Sequence, residues 1–295
     1  MPAMVKDRNP FHHQDPIRDR DAFFNRDADV RKVLTWLRKG QSVSVVGKEK
    51  IGKTSLLYFV SNPEVAMQHG FAAQKYLFCY VGCKQLADLN EDDCFGKLKA
   101  VVEEALLAWE ACPVLPPDGI ACPGARFWLD QTLLLFDQAG IRLIVQLDDF
   151  DWLTGNERLS LRCLDNLRAL SEAHGTMAYL TTSRVPLVDL QGELPDIAGS
   201  PFFDIFLEHE IQAFTSDETR RFLVTRLESV GAVLPDGVLE FICGLSRGEP
   251  HRLQLAGACA YDVWCENGCR LCEEHCGEVK ERFGRELQSA SGDSV

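Results

Sequence analysis

The sequence predicts an α/β fold, a parallel five-stranded sheet covered by helices and followed by a smaller helical bundle. Two observations predict it. Short apolar runs at 43–46, 75–83, 141–147, 176–183 and 202–208 are separated by amphipathic stretches. Spacings of that length need crossover connections, which make consecutive strands parallel. From about residue 210 the strands stop, and only helical patterns follow. A chain of 295 residues that is 46% hydrophobic has enough apolar surface for two cores of ordinary size.

Each element has a local reason. Residues 1–20 carry Pro2, Pro10 and Pro16 and no apolar period, so they read as an extended arm. "DADVRKVLTWLRKG" places Val30, Val33, Leu34 and Leu37 on one helical face and ends at Gly40. The strand Val43 to Val46 runs into a glycine turn and then a helix that Asn62-Pro63 ends. "KYLFCYVGC" reads as a buried strand, "DDCFGKLKAVVEEALLAWEA" as a long helix, and the proline-rich "CPVLPPDGIACPGA" as a loop. "RFWLDQTLLLFDQAG" is helical, and "IRLIVQL" is the clearest strand of all. "LSLRCLDNLRALSEAHG" is a helix, "TMAYLTTS" a strand, and "FFDIFLE" the last strand. "TSDETRRFLVTRL" then opens with Thr215 and Glu218 at capping-box spacing, and three more helices follow. The expected boundaries are an arm at 1–20, an α/β core at 21–210, a helical bundle at 211–288 and a disordered tail at 289–295.

Composition narrows the function. The net charge of −13 argues against broad nucleic-acid binding through phosphate neutralisation. No apolar run approaches the roughly 18 to 20 residues of a membrane span, so no membrane contact is expected. The first residues lack the apolar core of a secretory signal. Twelve cysteines in such a chain read as reduced thiols, which points to the cytoplasm.

Within this acidic chain, "GKEKIGKT" at 47–54 concentrates Lys48, Lys50 and Lys53. It fits G-x-x-x-x-G-K-[ST] in full, a pattern that arises by chance about once in a hundred chains of this length. Gly47 and Gly52 let successive backbone N–H groups turn inward onto phosphate, and the helix that follows adds its N-terminal dipole. Lys53 is placed to reach the β- and γ-phosphates and Thr54 to ligate Mg²⁺. The expected nucleotide contacts are Gly47, Lys48, Ile51, Gly52, Lys53, Thr54 and Ser55, with Lys48 and Lys50 read as solvated or rim charges. The fold is therefore that of a P-loop NTPase, with ATP or ADP and Mg²⁺ as cofactors.

Such a loop needs a carboxylate from a neighbouring strand. "IRLIVQLDDFDWL" ends a strand in Asp148 and Asp149, at the carboxyl edge where ligands of open α/β sheets bind. Asp148 is assigned to the magnesium shell and Asp149 to orienting the attacking water. Many hydrolytic relatives carry glutamate at the second position. The shorter Asp149 reaches less far, and about 1 Å of misplacement costs on the order of a hundredfold, so slow turnover is expected.

The order of "NPF…PIRDRDAFFNRDADV", the phosphate loop, "LDDFDWL", "NLRAL", "YLTTSRVPLVDL", "SPFFDIFL" and "GEPHRLQLAG" resembles the bacterial STAND-type ATPases, relatives of AAA+ and NB-ARC proteins. The resemblance spans about residues 9–285. It implies that Phe24 and Arg26, in a box where Asn25 replaces the usual glycine, lie beside the adenine. Asn tolerates left-handed backbone better than other non-glycine residues. It further implies that Arg184 stands at the sensor position after the fourth strand, reading the γ-phosphate as a third catalytic group beside Lys53 and Asp149. Gly248 and Pro250 match the G-x-P turn of a helical lid, where the proline packs on the base, and Arg252 lies where a second sensor arginine would stand. Glu249 and His251 depart from the family pattern.

Cys265, Cys269, Cys272 and Cys276, with His275, have spacings that a zinc site uses, yet only one C-x-x-C arm is present where zinc knuckles pair two. No Ser-His-Asp or Cys-His nucleophile arrangement is visible. The function that the resemblance implies is an ATP-operated switch that self-associates and controls a separate effector or sensor protein in bacterial signalling or anti-phage defence. The competing reading is a DNA-associated AAA+ ATPase of the initiator or transposition-regulator type. Arg158, Arg162 and Arg168 are candidates for an arginine supplied to a neighbouring copy.

Overall fold

Two of the five strands are buried along their whole length, a third is buried but for its first residue, and strand order explains which. In the computed structural model, which describes residues 9–109, 124–154, 156, 158, 160–193 and 200–292, the sheet runs β2-β3-β4-β1-β5. The strands are β1 (Ser42–Val46), β2 (Tyr76–Gly82), β3 (Arg142–Asp148), β4 (Met177–Ser183) and β5 (Phe206–Glu210). All four pairings are parallel. Central β1 and β4 have both faces covered, so every residue of each is buried, whereas edge strand β2 buries only Leu77, Cys79 and Val81.

The chain divides into two compact units. One comprises Arg26–Lys48 and Lys53–Ile211, the other Met1–Asn25, Glu49–Gly52 and Gln212–Val295. The first unit holds the sheet with α1 (Asp27–Arg38), α2 (Lys53–Ser61), α3 (Pro63–Gln68), α4 (Glu91–Leu107), α5 (Ala125–Ala139), α6 (Asp151–Thr154), α7 (Leu161–His174) and α8 (Leu187–Glu193). Its core joins strand residues such as Val145, Leu147 and Tyr179 to Leu133 and Phe136 of α5 and Leu167 of α7.

Three boundaries differ from the sequence expectation. Asn62-Pro63 ends α2 but also opens α3, because the Asn62 side chain accepts from the amides of Glu64 (3.1 Å) and Val65 (3.3 Å). Phe202 and Phe203 are not strand residues. Pro201 starts a 3-10 turn (Pro201–Ile205) capped by Ser200, and the turn delivers both rings to Phe150 and the Phe202 ring to Tyr179 as well. Strand β5 begins only at Phe206. The helix at the C-terminus runs on to Gly292, past the expected start of the tail at Ser289. The proline-rich loop at 112–125 falls almost wholly outside the described residues, as do residues 1–8 and 293–295.

The second unit contains α9 (Ser216–Glu228), α10 (Asp236–Ser246), α11 (Pro250–Glu266) and α12 (Cys276–Gly292). Thr215 and Glu218 form a reciprocal capping box at the start of α9. Residues 9–11 of the N-terminal segment pack here. Phe11 is 4% exposed, and an added Cβ at Gly257 of α11 would lie 2.4 Å from its ring, so the helix has a hollow that only glycine leaves open. Asn9 Nδ2 donates to Asp262 Oδ1 (2.9 Å) and Ala258 O (3.2 Å), fixing the segment along α11.

Gly248 closes the turn before α11 at φ +75°, and a Cβ there would stand 2.3 Å from the Phe214 carbonyl oxygen. The Phe214 amide in turn donates to Gly248 O at 2.8 Å. Gly248→Ala meets left-handed strain and a backbone clash together, so this unit should lose at least about 2 kcal/mol. Hydrogen exchange should show that loss in α10 and α11 while the sheet amides keep their protection.

Candidate nucleotide site

The phosphate loop hangs between β1 and α2 by specific bonds. The Gly47 amide donates to Ser183 O at 3.1 Å, tying the loop's first residue to the end of β4. Lys50 (φ +58°) and Gly52 (φ +101°) both adopt positive φ around the buried Ile51, and this curls the loop. Lys53, the first residue of α2, is 5% exposed, and its Nζ donates to Gly47 O (2.8 Å) and Lys48 O (2.9 Å). These bonds hold the ammonium inside the turn that made it. Lys48 is exposed, while Thr54 and Ser55 are half-buried on the first turn of the helix.

Across the sheet, Asp148 is 3% exposed at the end of β3. A buried carboxylate needs donors, and it has two. Tyr80 OH donates to Oδ2 at 2.8 Å and Thr182 Oγ1 to Oδ1 at 2.6 Å. The Thr182 hydroxyl also accepts the Asp149 amide (2.8 Å), and the Thr182 carbonyl accepts the Phe150 amide (2.7 Å). These bonds clamp Asp149 at φ +51°. The residue is exposed, but its carboxyl is recessed and sits above the ordinary aspartate range. Desolvation is the main cause and the neighbouring Asp148 the next, with Lys53 and Arg184 pulling the other way. The Tyr80 hydroxyl is pushed up mainly by burial and then by hydrogen bonding to Tyr58 and proximity to Asp148, so it keeps its proton. The Cys83 thiol is raised by burial first and by Asp148, Asp149 and Asp151 after it.

Arg184 follows β4 with its side chain 63% exposed. Asp151 pins it. The Arg184 amide donates to both Asp151 oxygens at 3.1 Å, and Nε lies 3.7 Å from Oδ1. Arg26 donates to Asp29 (3.5 Å), whose other oxygen meets His209 Nε2 at 2.7 Å. The sheet unit thus brings together Gly47, Lys53, Asp148, Asp149 and the Arg184 backbone, and it directs Arg26 to Asp29.

In the helical unit, Phe24 packs edge-on against Phe222 (5.3 Å) and Phe214 (6.1 Å). Asn25 adopts φ +48°, and its Oδ1 accepts from Arg221 at 3.2 Å. Pro250 is the first residue of α11. Arg252 is engaged within the unit, donating to Leu245 O at 3.1 and 3.3 Å and lying over the Phe283 ring. Cys272 Sγ is 3.1 Å from His275 Nδ1, but among the described residues no three His, Cys, Asp or Glu side chains are placed to hold a metal ion.

Sequence reasoning missed Tyr80, Thr182 and the pinning role of Asp151. The "TTS" run was visible as hydroxyls in a strand buried throughout, which is the one signal that pointed to Thr182. The donor set suits a nucleotide and its ion. A buried ammonium in a curled loop fits phosphate, and one carboxylate plus one hydroxyl is the short list of protein ligands that a hydrated Mg²⁺ takes.

The arrangement has the fold of known nucleotide enzymes. It superposes on a Walker-type ATPase of Pyrococcus abyssi with TM-score 0.68 and 17% identity, over 95% of this chain and 79% of that one. The Aeropyrum pernix ORC2 protein in ADPNP–ADP complexes follows at TM-score 0.63 and 19% identity, over 98% of this chain and 75% of that one. Domain III of the replication initiation protein DnaA from Thermotoga maritima gives 0.56 and 16%, over 91% of this chain and 98% of that one. At these identities the likeness shows the fold alone. A search of curated proteins by sequence finds no match. The fold and the loop define a P-loop ATPase that binds nucleotide. A family model described as Novel STAND NTPase 2 matches residues 38–285, and the chain belongs to that family. Among the described residues no helix is long and apolar enough to cross a membrane.

Proposed function

We propose that the chain is an ATP-operated switch that hydrolyses slowly, associates with copies of itself while ATP is bound, and thereby controls a separate effector protein in bacterial signalling or anti-phage defence. Lys53 meets the β- and γ-phosphates, Thr54 and Asp148 hold Mg²⁺, and Asp149 orients the attacking water. Bound there, Mg²⁺ offsets the charge that builds on the terminal phosphates. Arg184, its side chain 63% exposed and its Nε 3.7 Å from Asp151, reads the γ-phosphate once its guanidinium leaves that carboxylate.

The observation that carries slow turnover is Asp149. Its side chain is short, and its backbone is clamped through Thr182, so the carboxylate has little freedom to swing toward a water that stands too far away. A long-lived ATP state is what a switch needs. The STAND family is one of signal-transduction ATPases, which supports the effector role, and the charge of −13 supports a protein partner over DNA.

Mass photometry with ATP, ADP and a slowly hydrolysed analogue tests this. Mass should rise with ATP and the analogue only, and turnover should stay below about 0.1 s⁻¹, some hundredfold under a common enzyme rate. Turnover near 10 s⁻¹ with unchanged mass would sink the switch. Duplex DNA binding that weakens steeply with salt would replace it with a DNA-associated ATPase.

A further inference from the structure

Asp148 has both oxygens engaged by neutral hydroxyls, and the Tyr80 bond crosses from a neighbouring strand. The β2–β3 register pairs Tyr80 with Gln146 and Gly82 with Asp148. Because Gly82 has no side chain opposite the carboxylate, the Tyr80 ring can reach diagonally along the sheet face. A Cβ at Gly82 would lie 3.9 Å from the Tyr80 hydroxyl, so anything longer would intrude on it. Behind Tyr80 stands Tyr58, with ring centroids 5.0 Å apart. Tyr58 lies on α2 four residues after Thr54, on the same helical face. Ring packing therefore joins the helix that carries Lys53 and Thr54 to Tyr80, whose hydroxyl reaches the strand end at Asp148.

We propose that Tyr80 is a positioning residue for the divalent ion, its ring packed on Tyr58 and its hydroxyl fixing the Asp148 carboxylate in the orientation that receives Mg²⁺. This rests on the reading of Asp148 as the magnesium carboxylate. Outer-shell donors of this kind are worth about ten- to a hundredfold in metal affinity. The phenylalanine variant keeps the ring and its packing on Tyr58 and loses only the donor.

The test uses the full chain with ADP bound and Mn²⁺ as the probe, its bound fraction counted by electron paramagnetic resonance. Tyr80→Phe should weaken Mn²⁺ binding about tenfold or more, with ADP affinity in EDTA and the thermal melt unchanged. Ion affinity within twofold of wild type in Tyr80→Phe would overturn the proposal. So would an equal loss of ADP affinity in EDTA, which marks a merely structural role. Asp148→Asn separates the two failures. If it too keeps its Mn²⁺ affinity, the magnesium reading is wrong; if it loses the ion while Tyr80→Phe keeps it, only the positioning role falls.

Discussion

Replacing Lys53 by alanine should lower ATP affinity by about a hundredfold or more and stop turnover. The ammonium is the one side-chain cation that the loop encloses, 5% exposed and oriented by the Gly47 and Lys48 carbonyls. Hydrogen bonds to charged groups contribute about 1.5–3 kcal/mol each. Two phosphate contacts therefore reach the roughly 2.8 kcal/mol that a hundredfold change in affinity represents. Arginine should not restore binding, because a planar guanidinium cannot sit between two carbonyls in a turn shaped for a compact ammonium. Calorimetry with ATP–Mg²⁺ measures the loss, and a thermal melt within a few degrees of wild type shows that the fold survives. Binding within threefold of wild type would remove the loop from the mechanism.

How far the site could be read from sequence depends on how local each feature is. The loop was legible because its glycines, Lys53 and Thr54 act within eight consecutive residues. Asp148 was legible because a buried strand ending in carboxylates is a local pattern too. Tyr80 was not, since nothing in "KYLFCYVGC" says that Gly82 will stand opposite Asp148; only the parallel register does. Thr182 was hidden in the same way, brought beside Asp148 by a pairing that aligns Leu147 with Thr181. Phe202 and Phe203 misled because two aromatic residues after a proline satisfy a strand pattern as well as a capped turn. What decided was the aromatic pocket of Phe150 and Tyr179, contributed by residues far along the chain. Where the extended arm would pack was hidden for a similar reason, since Phe11 finds its place where Gly257 leaves a hollow.

Asp148→Asn should have the second large effect, losing about a hundredfold or more in Mg²⁺ affinity and most of the turnover, with ATP binding in EDTA retained. Shape is kept, so the cause must be charge and hydrogen bonding. The carboxylate accepts at both oxygens, from Tyr80 and from Thr182. An amide accepts at one and donates at the other, so one hydroxyl is left facing a donor, which costs about 1–3 kcal/mol. Against that, the variant no longer sets two carboxylates side by side at the strand end, so the net change in stability should be smaller than either part. The same change gives a pH signature. Asp148 helps hold the Asp149 carboxyl above its ordinary range, second only to desolvation. A base must be ionised to act. Without the Asp148 charge, Asp149 should ionise at lower pH in the metal-free protein than it does in wild type, read from its carboxyl carbon by NMR in EDTA. An unchanged midpoint would mean that Asp148 does not help to set the Asp149 ionisation.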